Sequence, residues 1–180
     1  REKKLLKQHQ YHIKIFDQQT DFAENFEHYK KIYQLSWKGE EYSFGFIEQV
    51  CLAALSTNSL RMGLLFVDEK PVAAQLWFLH HGSASIFKLA YDPAYQAFSV
   101  GSLLSMAISK HVIEIDKVTM IEFGMGSEAY KKDWLSKQRQ RLSLQVFNHK
   151  TLRGNLMALK AFIINPLVNR IVSTKNARNS

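Results

Sequence analysis

The stretch that joins Tyr91 to Gly101 has residue types and spacing suited to binding a phosphate group. An apolar run ends at Tyr91, an Asp-Pro pair follows, and apolar residues at helical spacing begin near Gly101. This order predicts a strand, a turn and the start of a helix. The first turn of a helix leaves backbone N–H groups unbonded and carries partial positive charge, which together attract phosphate. Gly101 would let a ligand approach the backbone closely, while the hydroxyls of Ser99 and Ser102 either cap the helix or bond phosphate oxygens.

Other patterns that carry chemistry are missing from the sequence. The loop lacks the Gly-Lys-Ser/Thr ending of a Walker A sequence, and it is not a GxGxxG dinucleotide fingerprint. None of the seven histidines belongs to an HExxH or similar ligand pair, and Cys51, the single cysteine, lies on an apolar helical stripe. We therefore expect no metal site, and we interpret Cys51 as a small buried hydrophobe.

Hydrophobic periodicity predicts eleven helices and strands. In this order of elements, the loop joins a strand of a mixed sheet to a helix that packs on it. Three strands joined by short polar turns should pair as an antiparallel meander, followed by a strand–helix–strand crossover. The predicted fold class is α/β, with a central mixed sheet and helices on both faces. Asp21 and Glu24 form the pattern of a capping box at the first full helix. The predicted strands are 11–16, 61–67, 71–80, 85–91, 118–123 and 142–147, and the predicted helices are 21–36, 43–55, 101–112, 127–135 and 152–172, the last bent or broken at Pro166.

A chain of 180 residues is long enough for one domain with a real core and shorter than two average domains. We predict the end of a preceding helix at 1–10, one domain at 11–150, and a basic helix and tail at 151–180. No apolar run approaches the ~20 residues that span a bilayer, and the first residues do not form a signal peptide. A lone cysteine is typical of a reducing compartment, so we expect a cytoplasmic protein.

The net charge of +8 belongs to the last quarter of the chain, where nine basic residues and no acidic residue follow Asp133. This segment is either a surface for phosphates, nucleic acid or anionic lipid, or a solvated face that meets acidic surface elsewhere. No RRM, KH or zinc-knuckle pattern is present, so a nucleic-acid partner is not expected. The stretch Leu152–Val172 is a candidate for an amphipathic helix at a membrane surface.

The loop Gln96-Ala-Phe-Ser99-Val-Gly101 resembles the Q/R-x-x-G-x-G/A loop of GNAT acyltransferases, and it departs from that pattern at Ser99, where the family usually has glycine. This replacement is similar to the Fem-like, CelD-like group associated with cellulose and exopolysaccharide biosynthesis. The resemblance covers roughly residues 11–155. Four further stretches also look like that group: Ser36-Trp37-Lys38, Lys88-Leu-Ala-Tyr-Asp92, Glu128-Ala-Tyr-Lys131 with Trp134, and Thr151-Leu-Arg-Gly154.

The resemblance implies where acetyl-CoA, or another acyl-CoA, would bind as the co-substrate. The strand ending at Tyr91 and strand 118–123 should be parallel neighbours that splay apart at their carboxyl ends, with pantetheine in the gap. Ligands at the carboxyl ends of strands, before a helix start, are general in α/β sheets. A backbone N–H near Ala90 and Tyr91 would stabilise the oxyanion. The implied donor-binding residues are Leu89, Ala90, Tyr91, Gln96, Ser99, Val100, Gly101 and Ser102.

The resemblance also suggests residues for proton transfer and for acceptor binding. Tyr130 is a candidate general acid or, alternatively, a packed aromatic residue with a bonded hydroxyl. Glu122 is the leading candidate for the general base or an outward polar position on an alternating strand. Asp92 could serve as the base instead, although Asp-Pro is itself a turn signal. Trp37, Lys88 and Lys131 are candidates for contacting an anionic or sugar-like acceptor, with ordinary packing and ion pairs as the alternative.

We therefore expect an acyl-CoA-dependent N- or O-acyltransferase that acts on a sugar or amine of an envelope or exopolysaccharide pathway. Two alternatives remain open at this point. One is a Fem-like transferase that uses aminoacyl-tRNA, and the other is a non-catalytic GNAT-like half that serves as scaffold or sensor. The segment Arg1–Gln10 suggests a fragment of a longer protein with a GNAT-like N-terminal half, and a homodimer is the other possible assembly.

Overall fold

A five-stranded mixed sheet with strand order β1-β2-β3-β4-β5 organises the N-terminal part of the chain. The computed structural model describes Leu5 and residues 8–17, 21–126, 131–140 and 142–166. The chain divides into two compact units, residues 1–133 and 134–180. The domain boundary at residue 150 stays a prediction. The strands are β1 (Tyr11–Phe16), β2 (Leu60–Val67), β3 (Lys70–His80), β4 (Ser83–Tyr91) and β5 (Met120–Glu122).

The strands β2, β3 and β4 form the predicted antiparallel meander, with β1 antiparallel to β2 and β5 parallel to β4. Both meander turns have two residues with positive φ, Asp68 and Glu69 in the first and His81 and Gly82 in the second. Two-residue turns with positive φ at both positions match the right-handed twist of paired strands. The meander and the parallel fifth strand confirm the predicted α/β class and mixed sheet.

Helices cover both faces of the sheet. The helices α1 (Phe22–Leu35) and α2 (Phe44–Ser56) contribute to one core, and α3 (Val100–Glu114) contributes to the core on the other face together with Leu5. The first core is rich in aromatic rings, including Phe22, Phe26 and Tyr29. The second surrounds Trp77, which is fully buried. Because each sheet face is covered, β2 is buried along its whole length.

The starts of α1 and α2 are stabilised in different ways. Ser43 caps α2, because its hydroxyl accepts a hydrogen bond from the Phe46 N–H at 3.1 Å. The predicted capping box at Asp21 is wrong, since the Asp21 side chain forms no cap bond and its backbone lies at φ −105° and ψ 3°. Instead, the Asp21 carbonyl accepts from the backbone and side-chain N–H groups of Asn25.

The predictions of secondary structure from the sequence are wrong mainly after the first unit. Residues 142–147 are not a strand, and their alternating apolar side chains are exposed. A strand needs a partner for its backbone, and the described residues of the second unit contain none. Within the predicted helix 127–135, residues 127–130 lie outside the described residues. Lys131–Trp134 form the short helix α4. Helix α5 (Leu152–Leu159), capped by Thr151, continues as a π-helical turn over Lys160–Ile164.

Candidate functional site

The strand β4 is paired on both sides near its start and open on one side near its end. Its parallel pairing with β5 covers only Ser83, Ala84 and Ser85, opposite Met120–Glu122. From residue 86 to Tyr91 no described strand pairs with this edge of β4. The open edge is about 20 Å long at the usual rise of a strand. The pairing ends where β5 ends, and the predicted divergence of the two strands at their carboxyl ends stays a prediction.

A β-bulge lies where the open edge begins. The β3–β4 register passes from Leu76 opposite Lys88 to Trp77 opposite Ile86, so Phe87 is an additional residue in β4. A bulge bends its strand and increases the local twist, and bulges occur often beside active sites. No sequence signal marked this bulge, because Phe87 continues an ordinary strand pattern.

The open edge leads directly into the loop and helix that the sequence singled out. A 3₁₀ helix, Pro93–Phe98, follows β4 and ends at Ser99, which lies in the left-handed region at φ 57° and ψ 41°. Glycine adopts this conformation without strain, which explains why the similar loop pattern has glycine there. The Ser99 side chain does not cap α3. The N–H groups of the first three residues of α3 have no acceptor among the described residues: Val100, Gly101 and Ser102.

Gly101 is glycine because an aromatic ring occupies the space beside it. A Cβ atom at this position would lie 3.1 Å from Cδ1 of Tyr91. The Tyr91 ring in turn contacts the indole of Trp37, with ring centroids 4.5 Å apart. The predicted residues Tyr91, Gly101 and Trp37 are thus brought together at the end of β4. Trp37 remains 55% exposed, so its ring lines an open surface.

The start of α3 is fixed to the sheet by a buried amide that sequence reasoning missed. Nε2 of Gln75 donates to the Gly101 carbonyl at 2.9 Å and to the Ser105 hydroxyl at 2.8 Å. The Trp77 indole donates to Oε1 of Gln75 at 2.8 Å, so the amide is bonded at both ends. A polar residue inside an apolar strand was the available signal. This network holds the helix start rigidly against the middle of the sheet.

The Asp92 side chain forms hydrogen bonds in the turn after β4. Its carboxylate is buried, accepts from the Ala94 N–H at 3.0 Å and pairs with Nζ of Lys70 at 3.0 Å. These bonds fix the turn after β4 and raise the pKa of Lys70. Both carboxylate oxygens are occupied, which favours the turn-forming interpretation over the general base. Gln96, in the 3₁₀ helix, has an exposed side chain.

The other predicted catalytic and binding residues that the structure describes lie in β5, in α4 and in β4. Glu122 is half-buried at the end of β5, opposite Ser85, where the gap between the strands begins. Lys131 is buried and donates to the Met125 carbonyl. Tyr130 lies outside the described residues. In β4, the Ala90 side chain is buried in the core and Leu89 is half-buried, so at Ala90 only the backbone faces the open edge.

Lys88 is the centre of a polar group that the sequence did not predict. It donates to Oε2 of Glu41 at 2.6 Å, joining the middle of β4 to the loop after α1. Burial alone would raise the pKa of Glu41, but hydrogen bonds from Lys88 and Tyr33 outweigh it and lower the pKa. Burial and the bond to Glu41 raise the pKa of Tyr33. We refer to Lys88, Glu41 and Tyr33 as the loop triad.

Chemistry at the thiol of Cys51 is disfavoured by the structure. Cys51 is fully buried, and burial together with the charge of Glu48 raises the pKa of its thiol to about 12. The thiol is therefore protonated and packs as a hydrophobe. Among the described residues, no group of three or more metal-ligating side chains is present. No helix in the described ranges is long and apolar enough to cross a membrane.

A family model described as an acetyltransferase (GNAT) domain matches residues 1–132, which end beside the boundary of the first unit. Among curated protein sequences, none matches this chain significantly.

Solved structures share the fold at low sequence identity. A possible acetyltransferase from Clostridium difficile 630 has a TM-score of 0.58 at 13% identity, covering 77% of this chain and 99% of its own. An aminoglycoside acetyltransferase, meta-AAC0020, from an uncultured soil metagenomic sample in complex with trehalose has a TM-score of 0.54 at 13% identity, covering 76% and 95%. The PaiA N-acetyltransferase of Thermoplasma acidophilum in complex with coenzyme A has a TM-score of 0.52 at 14% identity, covering 68% and 86%.

Proposed function

The chain belongs to the family of GNAT acetyltransferase domains and is an acyl-CoA-dependent acyltransferase, and from this premise we propose that acyl-CoA binds along the open edge of β4. The observation that carries the proposal is the continuity of that edge with the unbonded amides at the start of α3. The pyrophosphate would accept from the amides of Val100, Gly101 and Ser102. The extended pantetheine arm would run back along β4 toward the bulge at Phe87.

The proposed reaction passes an acyl group from the thioester sulfur to an acceptor amine or hydroxyl. The acceptor attacks the carbonyl carbon, an oxyanion develops on the carbonyl oxygen, and the carbon–sulfur bond then breaks to give a thiolate. Backbone N–H groups on the open edge of β4 between Phe87 and Tyr91 would donate to the oxyanion. Preorganised amides suit this role because they do not reorganise during the reaction.

Proton transfer is proposed for Glu122, which lies near the closed start of the gap, and for Tyr130. Glu122, at the end of β5, would accept the proton that the acceptor loses. Tyr130 would donate a proton to the departing thiolate. The position of Glu122 opposite Ser85 supports this assignment, because a donor arm that fills the open edge ends near this point.

The acceptor that we propose is a sugar or amine of an envelope or polysaccharide pathway, as in the CelD-like group. The exposed indole of Trp37, packed on Tyr91, supports a sugar-like acceptor because aromatic faces bind the apolar faces of sugar rings. The low pKa of Glu41 keeps a carboxylate beside the same surface. A cytoplasmic location remains part of this proposal.

Calorimetric titration with acetyl-CoA, followed by an assay of thiol release with a panel of amines and sugars, tests the proposal. We expect saturable binding and acceptor-dependent release of CoA. Absence of binding at millimolar acetyl-CoA would contradict it. Binding without transfer to any acceptor would favour the scaffold or sensor alternative, and salt-dependent binding of charged tRNA in place of CoA would favour the aminoacyl-tRNA alternative.

The second unit is a proposed contact surface for anionic lipid. Nine basic residues and no acidic residue follow Asp133, and several large apolar side chains are exposed there, among them Leu144, Leu156 and Phe162. A basic amphipathic segment binds at such interfaces. Pelleting with vesicles that contain or lack anionic lipid tests this. A GNAT-like N-terminal half and a homodimer also remain proposals, and light scattering of the chain at several concentrations tests the dimer.

A further inference from the structure

A cleft of about 560 Å³ contains charged side chains of both signs, and not all of them form ion pairs among the described residues. The loop after α1 forms most of its wall, including Lys38, Glu40 and Glu41. Glu41 is bonded to Lys88 at 2.6 Å, so these two charges neutralise each other. Glu40 is exposed to solvent, where its charge is screened. Two charged groups of the cleft then remain without an ion pair among the described residues, the half-buried ammonium of Lys38 and the exposed carboxylate of Glu40.

The ammonium of Lys38 lies against two aromatic rings in the cleft. Its Nζ lies 5.8 Å from the centroid of the Tyr33 ring and 5.7 Å from that of Trp37. The side chain is half-buried, and it forms no ion pair with any residue that the structure describes. Burial, and next the charge of Lys88, lower the pKa of Lys38. The charge of Glu41 raises the pKa of Lys38 but does not offset these two effects, so an anion that enters the cleft gains a partly desolvated cation as its partner.

The same cleft adjoins the proposed donor site through two contacts. The Trp37 ring is 4.5 Å from the Tyr91 ring, and Tyr91 lies against Gly101 at the start of α3. Lys88, which anchors Glu41, directly follows the bulged residue Phe87. A molecule in the cleft therefore stands next to the edge where acyl transfer is proposed.

We propose that Lys38 binds a carboxylate or phosphate group of the acceptor, so that the acceptor class is acidic or phosphorylated amino sugars and amino acids. This inference rests on the proposed function and narrows its acceptor. The solved relatives that act on aminoglycosides share the fold with this chain, and the inference gives this chain a different acceptor charge.

Calorimetric titration of the full chain with matched acceptor pairs tests the inference. The pairs are glucosamine 6-phosphate against glucosamine, and muramic acid against glucosamine, each measured with and without acetyl-CoA. We expect the anionic member of at least one pair to bind about tenfold or more tightly, as a charge-assisted hydrogen bond allows. Comparison of the two pairs distinguishes a phosphate from a carboxylate.

Variants of Lys38 separate charge recognition from a structural effect. Lys38→Gln should abolish the preference for the anionic member, Lys38→Arg should retain most of it, and Lys31→Gln, which removes an exposed lysine from α1, should leave it unchanged. The inference is wrong if no anionic member binds better than its neutral partner, or if Lys38→Gln weakens acetyl-CoA binding instead, since the anion would then belong to the donor. A preference for the anionic member without any binding of acetyl-CoA would support anion recognition by Lys38. It would contradict only the proposed function.

Discussion

The two ends of the parallel pair β4 and β5 use polar groups in opposite ways. At the closed end, where the strands are paired, Arg61 and Asp116 form a buried ion pair, and the other donors of Arg61 bond Asn58 and the Leu60 carbonyl. At the open end, amides at the start of α3 have no acceptor in the described part of the chain, and Lys38 forms no ion pair there.

This difference separates structural groups from groups that are prepared for a ligand. The closed end is rigid because its donors and acceptors satisfy one another, and Thr119 adds a backbone bond to Gly82 at 2.8 Å. The open end leaves donors and a cation unsatisfied in a place that an anionic ligand can reach. Buried polar groups are almost always bonded, so unsatisfied groups that converge on one edge indicate a binding site. Substitutions at the closed end should therefore change stability, and those at the open end should change binding.

The largest expected effect is on stability, at the closed end. Asp116→Ala leaves the buried guanidinium of Arg61 without its carboxylate, and we expect a loss of about 3–5 kcal/mol in the free energy of unfolding. Urea denaturation measures it. The matched control Glu114→Ala removes an exposed carboxylate at the end of α3 and should change stability by about 0.5 kcal/mol or less. If the two variants lose the same free energy of unfolding, the closed end does not owe its stability to the buried ion pair.

The next effect is on donor binding, at the open end. Gly101→Asp places a negative charge where the pyrophosphate is proposed to bind, and we expect acetyl-CoA affinity to fall about 100-fold or more. An aspartate in the first turn is favourable for a helix, so folding should be retained. Gly101→Ala adds only a Cβ atom, 3.1 Å from Tyr91, and should cost about tenfold or less. Calorimetry that finds the two variants equal would assign the effect to crowding alone.

A smaller effect is expected on the acceptor side, from Glu41→Gln. The change weakens the bond from Lys88, so the KM for the acceptor should rise about tenfold while the acetyl-CoA affinity stays within about twofold. Glu24→Gln, an exposed change on α1, is the control. An equal loss of acetyl-CoA affinity would show that the loop triad supports the donor site instead.

The same variant has a defined dependence on pH. The folded-state pKa of Glu41 is lowered, so its contribution to stability is present above its ordinary pKa and is lost as the pH falls through the lowered value. The difference in melting temperature between the wild type and Glu41→Gln should therefore narrow between about pH 7 and about pH 3. A constant difference across this range would show that the carboxylate charge does not stabilise the fold.

The smallest effect concerns the strained residue before α3. Ser99→Gly should stabilise the fold by about 0.5–1 kcal/mol, because glycine adopts the left-handed conformation without strain. Ser102→Gly, inside the same helix, should have the opposite sign and a similar size. Thermal unfolding distinguishes them. A loss of stability in Ser99→Gly would mean that contacts of the Ser99 side chain outweigh the strain.

The sequence predicted the first unit well because its elements carry strong local signals. The meander turns, the apolar stripe of α2 and the loop before α3 each depend on neighbouring residues, and their positions were found within a few residues. Residues 142–147 alternate like a strand, but a strand forms only when a partner is present, and the described part of the second unit offers none. Periodicity reports which face is apolar and does not report what covers it.

The site was predictable in part. Gly101 was predicted from its place at a helix start, and Trp37 and Tyr91 from the family resemblance. The structure brings the three residues together. The roles of Gln75 and Glu41 depend on partners 26 and 47 residues away in the chain, which no local pattern specifies. The bulge at Phe87 depends on the register with β3, and it is equally invisible in the sequence.

The central claim is that the open edge of β4 and the start of α3 together hold acyl-CoA. Hydrogen–deuterium exchange of the full chain, with and without saturating acetyl-CoA, tests it most directly. The account predicts that the ligand slows exchange in residues 86–103 and leaves the paired strand β2 unchanged. Slowed exchange confined to other segments, with residues 86–103 unaffected at saturation, would contradict it.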